Sequence, residues 1–232
     1  MLLEPRDLAA KVQQAGADVA TMHNPRLRYR SINAIDTDAC LDWQAHLLLS
    51  VTEADDTAIC VGTCEFLIVR LGEEPVSGAV LNQTSEIAVF GPLFEGAQIA
   101  GDVQAQFDGE PIRNAVLVVS AILLDPLRGN GLGAWMISRL IRRMLPGHDG
   151  LVLMYPSPLF KCEDPVQQRQ AVESLTRHWG NSIGVEPILQ HPHILGQHVD
   201  HLRSNEAAPP LPDQISVPLP TLEHAVTLAL VD

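Results

Sequence analysis

Residues 116–144, VLVVSAILLDPLRGNGLGAWMISRLIRRM, constrain the fold more than any other stretch of the chain. Residues 116–124 are apolar and rich in β-branched side chains, the composition of a strand buried on both faces. Asp125-Pro126 stops that strand, because proline cannot donate to a ladder. Arg128-Gly129-Asn130-Gly131-Leu132-Gly133 follows. From Ala134 onward, Trp135, Ile137, Leu140, Ile141 and Met144 recur at helical spacing, and Pro146-Gly147 closes the helix. The segment therefore reads as strand, glycine-rich loop and amphipathic helix.

A loop of this kind suits an anion. Glycines let main chain approach a ligand closely, because no Cβ intervenes. The free N–H groups of the helix's first turn converge there, and the helix dipole adds positive potential. A pyrophosphate is the natural guest. A P-loop is excluded, since Gly133 is followed by Ala134-Trp135 instead of Lys-Ser/Thr. Gly129-x-Gly131-x-x-Ala134 matches the dinucleotide fingerprint in its Gly/Ala form. That fingerprint wants repeated βαβ units and an acid ending the next strand about 20 residues on. Asp149 has roughly that spacing but precedes the next strand, residues 151–154. The third reading is Arg-x-x-Gly-x-Gly/Ala after an LDP-type strand end.

Residues 122–133, with the Arg128-x-x-Gly131-x-Gly133 core complete, resemble the acetyl-CoA motif of the GNAT N-acetyltransferase superfamily. The likeness covers residues 28–187 and is thin before Ala115. It implies an α/β fold with a mixed, mostly antiparallel central sheet flanked by helices, in which the fourth and fifth strands splay apart. It implies acetyl-CoA as cosubstrate, held by Leu123, Leu124, Asp125, Arg128, Gly129, Asn130, Gly131, Leu132, Gly133 and Ala134. It implies acetyl transfer to the primary amine of a small molecule or peptide. The pantetheine arm is expected between residues 123–125 and 154–157, by β-augmentation of the splayed edge. A main-chain N–H near Leu124 is the expected oxyanion donor. Residues 171–185 resemble the family's closing motif, with Val185 where an aromatic is usual and Trp179 one residue further from Gly184 than the usual tyrosine.

Composition narrows the function classes. A net charge of −13 disfavours a nucleic-acid-binding surface. It leaves cationic partners favoured by long-range attraction, or mere solubility. There is no apolar run long enough to span a membrane, and MLLEPRDL lacks the features of a signal peptide. Cys40, Cys60, Cys64 and Cys162 form no CxxC pair. A reducing cytoplasm is the expected setting.

Along the chain, three parts are expected. Residues 1–24 form an N-terminal helical extension, residues 25–200 the acetyltransferase-like domain, and residues 201–232 a proline-rich tail. A surface helix covers residues 5–20, a polar link 23–30 and a first strand 28–35. Residues 42–52 and 58–71 pair as a long antiparallel hairpin, turning at residues 53–56. Residues 72–109 are too long for a hairpin loop. They form either one wall of an acceptor cleft or a decoration or homodimer contact. A short strand covers 150–155. Asp164 caps a helix opened by Pro165, whose inner face carries Val166, Ala171, Val172, Leu175 and Trp179 until 180–185 break it. A returning strand covers 187–195. Five prolines within 207–220 read as an extended linker, and residues 221–231 are apolar enough to dock.

Acetyl transfer needs a deprotonated amine, a polarised thioester oxygen and a proton for the leaving thiolate. The resemblance implies a tyrosine general acid on the helix after the fifth strand; the helix from Pro165 has none, so His178, with Tyr155 as a second choice, is the candidate catalytic residue. A histidine near a helix C-terminus also serves simply as a cap, and Tyr155 can simply pack. Glu65 and Glu86 are candidate bases where they face the cleft; the alternatives are that both are simply solvated and that the bound amine loses its proton through water. His191, His193, His198 and His201 have a spacing that zinc can use. No carboxylate or cysteine is fixed beside them, and no metal site is expected.

Overall fold

Runs of mostly apolar residues buried on both faces build one dominant sheet. The structure, a computed structural model, describes residues 2–32, 39–51, 57–72, 74–76, 84–107, 112–158, 164–204 and 211–223. In chain order the elements are β1 (Leu2–Leu3), α1 (Pro5–Gln14), β2 (Val19–Ser31), β3 (Cys40–Ser50), β4 (Ala58–Arg70), α2 (Ser85–Ala88), β5 (Phe94–Glu95), β6 (Gln98–Ile99), α3 (Gly101–Gln106) and β7 (Asn114–Leu123). They continue with α4 (Leu132–Met144), β8 (Gly150–Met154), α5 (Pro165–Ile183), β9 (Glu186–Ile188), β10 (His191–His198), α6 (Val199–Ser204), β11 (Gln214–Pro218) and α7 (Leu219–Glu223).

The sheet runs β11-β2-β3-β4-β7-β8-β10-β9, with β1 beside the start of β4. Pairing is antiparallel except for β7 with β8 and β1 with β4. The expected mixed, mostly antiparallel sheet flanked by helices is what the chain forms. The parallel pair follows from its connection, since the crossover helix α4 returns the chain to the same end of the sheet.

Each face has its own core. On one face Leu132, Met136, Ile137, Leu140 and Ile141 of α4 pack with Leu8 of α1, Phe66 of β4 and Val116 of β7. On the other, Ile87, Phe90, Leu93, Ile99, Val103 and Phe107 cover Leu67, Val69, Leu117, Leu151 and Leu153. The described part of the 72–109 segment is thus a packed second layer over the sheet. Large apolar side chains at irregular spacing gave it mixed periodicity because it is built from two short helices and a two-stranded ribbon.

Several boundaries differ from expectation. The first strand of the large sheet after α1 begins at Val19, so 23–30 is strand and not link. Its alternation is broken at Asn24-Pro25, where Asn24 takes φ 51° and the register with β3 shifts between His23 and Arg26. Helix α1 is a surface helix as expected, with Pro5, Leu8 and Ala9 buried on one face and most of its other residues exposed. Helix α5 runs through Gly180 and ends at Ile183, where Gly184 at φ 82° supplies the left-handed cap. Val166 points outward, 57% exposed, while Asp164 does cap the helix by accepting from the Val166 N–H at 2.9 Å. The returning strand is two, β9 and β10, turning at Leu189-Gln190.

The proline-rich stretch contains β11, whose residues 214–218 pair with 23–19 of β2. Ile215 and Val217 face the core, and Pro218 is tolerated because the strand is an edge. The boundaries expected at residues 24 and 200 are therefore crossed by sheet pairing and by β10–α6 continuity. The turn at residues 53–56, Cys162 and the segment 224–231 lie outside the described residues.

His46 of β3 is 5% exposed and its Nε2 lies 2.9 Å from Gln44 Oε1. Burial, and then Arg28 and Arg30, pull its pKa below the ordinary imidazole value. The folded state therefore prefers neutral His46. The stability this gives is complete above the unfolded pKa of about 6.5 and is lost as the pH falls below it toward the folded pKa. Denaturant titrations from pH 8 to 5 are expected to show a loss of stability that His46→Gln reduces by as much as about 1.4 kcal/mol per pH unit within that window. Equal slopes in the two proteins would contradict this assignment.

Candidate active site

The site begins where β7 ends. Leu124 donates its N–H to the Val61 carbonyl at 2.9 Å and accepts from the Leu127 N–H at 2.9 Å. Asp125–Leu127 then form one 3-10 turn, opened by Pro126 in its first positions. Gly129 and Gly131 take φ of 82° and 75°, left-handed conformations that side chains with a Cβ resist. A Cβ on Gly129 would meet nothing within 4 Å, so its requirement is conformational. The Asn130 side chain donates to the Leu127 carbonyl at 3.2 Å and braces the loop.

Gly131 is the N-cap of α4, and the first helical bond runs from the Trp135 N–H to the Gly131 carbonyl at 3.0 Å. The N–H groups of Leu132, Gly133 and Ala134 precede that bond and have no partner one turn back. They form the anion-binding end of the helix. Arg128 is turned aside. Its guanidinium lies 2.8 Å from the Asp125 carboxylate, with both side chains largely exposed.

Strands β7 and β8 pair only from Asn114↔Gly150 to Val118↔Met154. Beyond that point β7 continues against β4 alone, with a register shift between Glu65 and Phe66. The two strands therefore part, as expected of the fourth and fifth strands. Successive residues of a strand turn their main-chain groups to opposite sides. Because Leu124 bonds β4, the N–H and carbonyl groups of Leu123 and Ala121 face the open side. The Leu124 N–H, near which an oxyanion donor is expected, is committed to the Val61 carbonyl.

A cavity of about 1080 Å³ joins these parts. Its wall includes Ala121, Ile122 and Leu123 of β7, the loop from Arg128 to Ala134, Ser157 and Pro158 after β8, and His178 and Trp179 of α5. Of the residues singled out from sequence, Leu123, Arg128, Gly129, Asn130, Gly131, Leu132, Gly133, Ala134 and His178 meet here. Leu124 is 2% exposed and outside the lining, and Asp125 is held off by its ion pair. Trp179 roofs the helix start, 3.5 Å from the position a Gly133 Cβ would take. The His178 ring stands edge-on to Trp179 at 5.0 Å.

Tyr155 is elsewhere. Its ring packs edge-on to His193 at 6.4 Å, among side chains of the second core. Alternation along the strand end explains this, since Met154 faces the first core and the next residue faces the second. Glu65 and Glu86 also lie outside the cavity wall. Glu86 accepts from Ser85 Oγ on the exposed face of α2. Glu65 is exposed and within 3.4 Å of Ser120 Oγ, at the register shift where β7 leaves β8. Asp42, on the same sheet face, has its pKa raised by burial and then by Glu65.

Ser174, Asn181, Ser182 and Pro212 also line the cavity. The α5 residues could have been found by continuing its helical stripe through Gly180. Pro212 carries no local signal, because its placement depends on β11 pairing with β2. Among the described residues no group of three or more His, Cys, Asp or Glu side chains could hold a metal. His191 and His193 lie 6.2 Å apart, and His198 and His201 6.4 Å apart.

No family model matches the chain, and no curated protein matches it. Among the solved structures similar to the chain are two whose likeness is one of fold alone. A crystal structure of a tyrosine-to-phenylalanine mutant of KacT has 9% identity and a TM-score of 0.38, covering 77% of this chain and 98% of the other. A crystal structure of AtaTR bound with AcCoA has 9% identity and a TM-score of 0.35, covering 77% of this chain and 96% of the other. At that distance, what the cavity can do follows from its own residues.

Proposed function

We propose that the chain is an acetyl-CoA-dependent N-acetyltransferase acting on a primary amine. The observation that carries this reading is the single cavity joining the glycine loop at the start of α4 to the open edge of β7. The N–H groups of Leu132, Gly133 and Ala134 suit a diphosphate. The main-chain groups of Ala121 and Leu123 suit the amides of a pantetheine arm. The residues present therefore fit acetyl-CoA, which would supply an acetyl group activated as a thioester.

The chain's own groups then have distinct tasks. The Leu123 N–H replaces Leu124 as the donor for developing oxyanion charge. His178, on the cavity wall, is the proton donor at its imidazole, and Tyr155 is not part of that wall. Glu65, beside Ser120 at the parting of the strands, is the group that attracts the amine and accepts its proton, directly or through water. A cytoplasmic setting belongs to the same reading. Cys40 and Cys60 are free and buried, with burial pushing their thiols to about 12 and about 11.

A second reading is a non-catalytic acyl-CoA-binding module. It is favoured by the sparse chemistry of the wall, where Arg128 and His178 are the only ionisable side chains among the described lining residues. Thermal-shift titration with acetyl-CoA and NAD(H), followed by thiol release with polyamines, aminoglycosides, amino acids and peptides, separates the readings. The enzyme reading expects protection by acetyl-CoA, none by NAD(H), and turnover with one acceptor class. His178→Ala is expected to lower turnover by about 10²-fold or more, with acetyl-CoA affinity nearly unchanged. Protection without turnover on any acceptor would favour the binding module.

A further inference from the structure

A second cavity, of about 390 Å³, lies between β2 and the outer face of α4. It shares no lining residue with the larger one. Arg26, Tyr29, Trp135, Arg139, Arg142 and Arg143 contribute to its wall. Four arginines in one recess are out of keeping with a chain that has 15 basic residues and a net charge of −13.

The three on α4 ask for a counter-anion. Arg139, Arg142 and Arg143 stand at i, i+3 and i+4 on one helix face, where like charges repel. The C-terminal end of the dipole favours Arg142 and Arg143 but reaches only the last turn. None of the three has a carboxylate at ion-pair distance among the described residues. Arg139 is held over the Trp135 ring at 5.5 Å, which fixes its guanidinium at the recess. Tyr29 is half-buried, and Arg143 and Arg139 act on its hydroxyl against the effect of burial. Planar guanidinium forks match phosphate oxygens, and two aromatic rings beside them offer a planar group something to lie against.

We propose that this recess is a binding site for a small phosphate monoester bearing a planar ring, of the nucleoside monophosphate class. Its volume is at the lower end of small-molecule pockets. A polynucleotide would need the basic surface to continue beyond the recess, and the acidic remainder of the chain opposes that. The site is independent of the acyl-CoA reading, because it shares no lining residue with the cavity at the glycine loop.

The test is calorimetric titration of AMP, adenosine and inorganic phosphate into the full-length chain, with and without saturating acetyl-CoA. AMP is expected to bind in both conditions, about tenfold or more tighter than adenosine or phosphate alone. The double variant Arg142→Gln/Arg143→Gln is expected to weaken AMP by about tenfold or more, with acetyl-CoA binding unchanged. Absence of AMP binding, AMP binding indifferent to the double variant, or phosphate binding as tightly as AMP would each overturn the proposal. So would a single-stranded RNA displacing AMP at far lower concentration, which would assign the recess to a polymer.

Discussion

Gly131→Val is expected to lower acetyl-CoA affinity by about 100-fold or more while leaving a cooperative fold. Two effects act together. The residue sits at φ 75°, a conformation in which a β-branched side chain costs of order 1–3 kcal/mol. Relief of that strain would rotate the loop and misdirect the first-turn N–H groups of α4. If the loop holds, the added methyls stand where a diphosphate must approach main chain. Two or three charge-assisted hydrogen bonds, worth roughly 1.5–3 kcal/mol each, account for the size of the loss. Because the strain is local, the melting temperature is expected to fall by only about 2–12 °C, at roughly 2–4 °C per kcal/mol for a chain of this size. Calorimetric titration alongside a thermal melt measures both quantities. Unchanged affinity would remove the loop from the site.

Removing residues 211–232 is expected to abolish cooperative folding. That segment carries β11 and α7, and Ile215, Val217, Leu219 and Leu222 are buried with α1 and β2 in the first core. The Leu219 N–H also bonds the Asp18 carbonyl at 3.0 Å. Each of those side chains contributes about 1.5–3 kcal/mol on burial, an upper estimate given a compact unfolded state. Together they rival the whole stability of an ordinary domain, about 5–15 kcal/mol. The milder Leu222→Ala is expected to cost about 2–5 kcal/mol by leaving a cavity, visible as a lower midpoint in urea with the same slope. A truncated chain that melts like the full one would show that this segment is the linker its prolines suggest.

How legible the chain was differed from place to place for physical reasons. The strand–loop–helix at residues 116–144 was plain because every local signal agreed: a β-branched run, a proline stop, glycines at left-handed positions and a helical stripe. The parting of β7 and β8 followed from a resemblance, but the identity of the available N–H did not. Which of Leu123 and Leu124 faces the groove depends on β7's register with β4, and register is not written in β7 alone. Strand β2 is legible only in its second half, because Asn24-Pro25 reads as a turn and sits at an irregularity where the register with β3 shifts. The role of 84–107 as the second layer was invisible because only the apolar face of β4, β7 and β8 explains its scattered large side chains. Tyr155 shows the same limit, since one residue of strand phase decides which core it joins.

In the proposed enzyme, main-chain N–H groups at the start of α4 hold the diphosphate of an acyl-CoA. A crystal structure of the protein with coenzyme A tests it most directly. Phosphate oxygens are expected about 2.7–3.2 Å from the nitrogens of Leu132, Gly133 and Ala134, with the pantetheine arm along Ala121 and Leu123. Coenzyme A bound away from that loop, or a loop closed on itself at saturating ligand, would contradict the account.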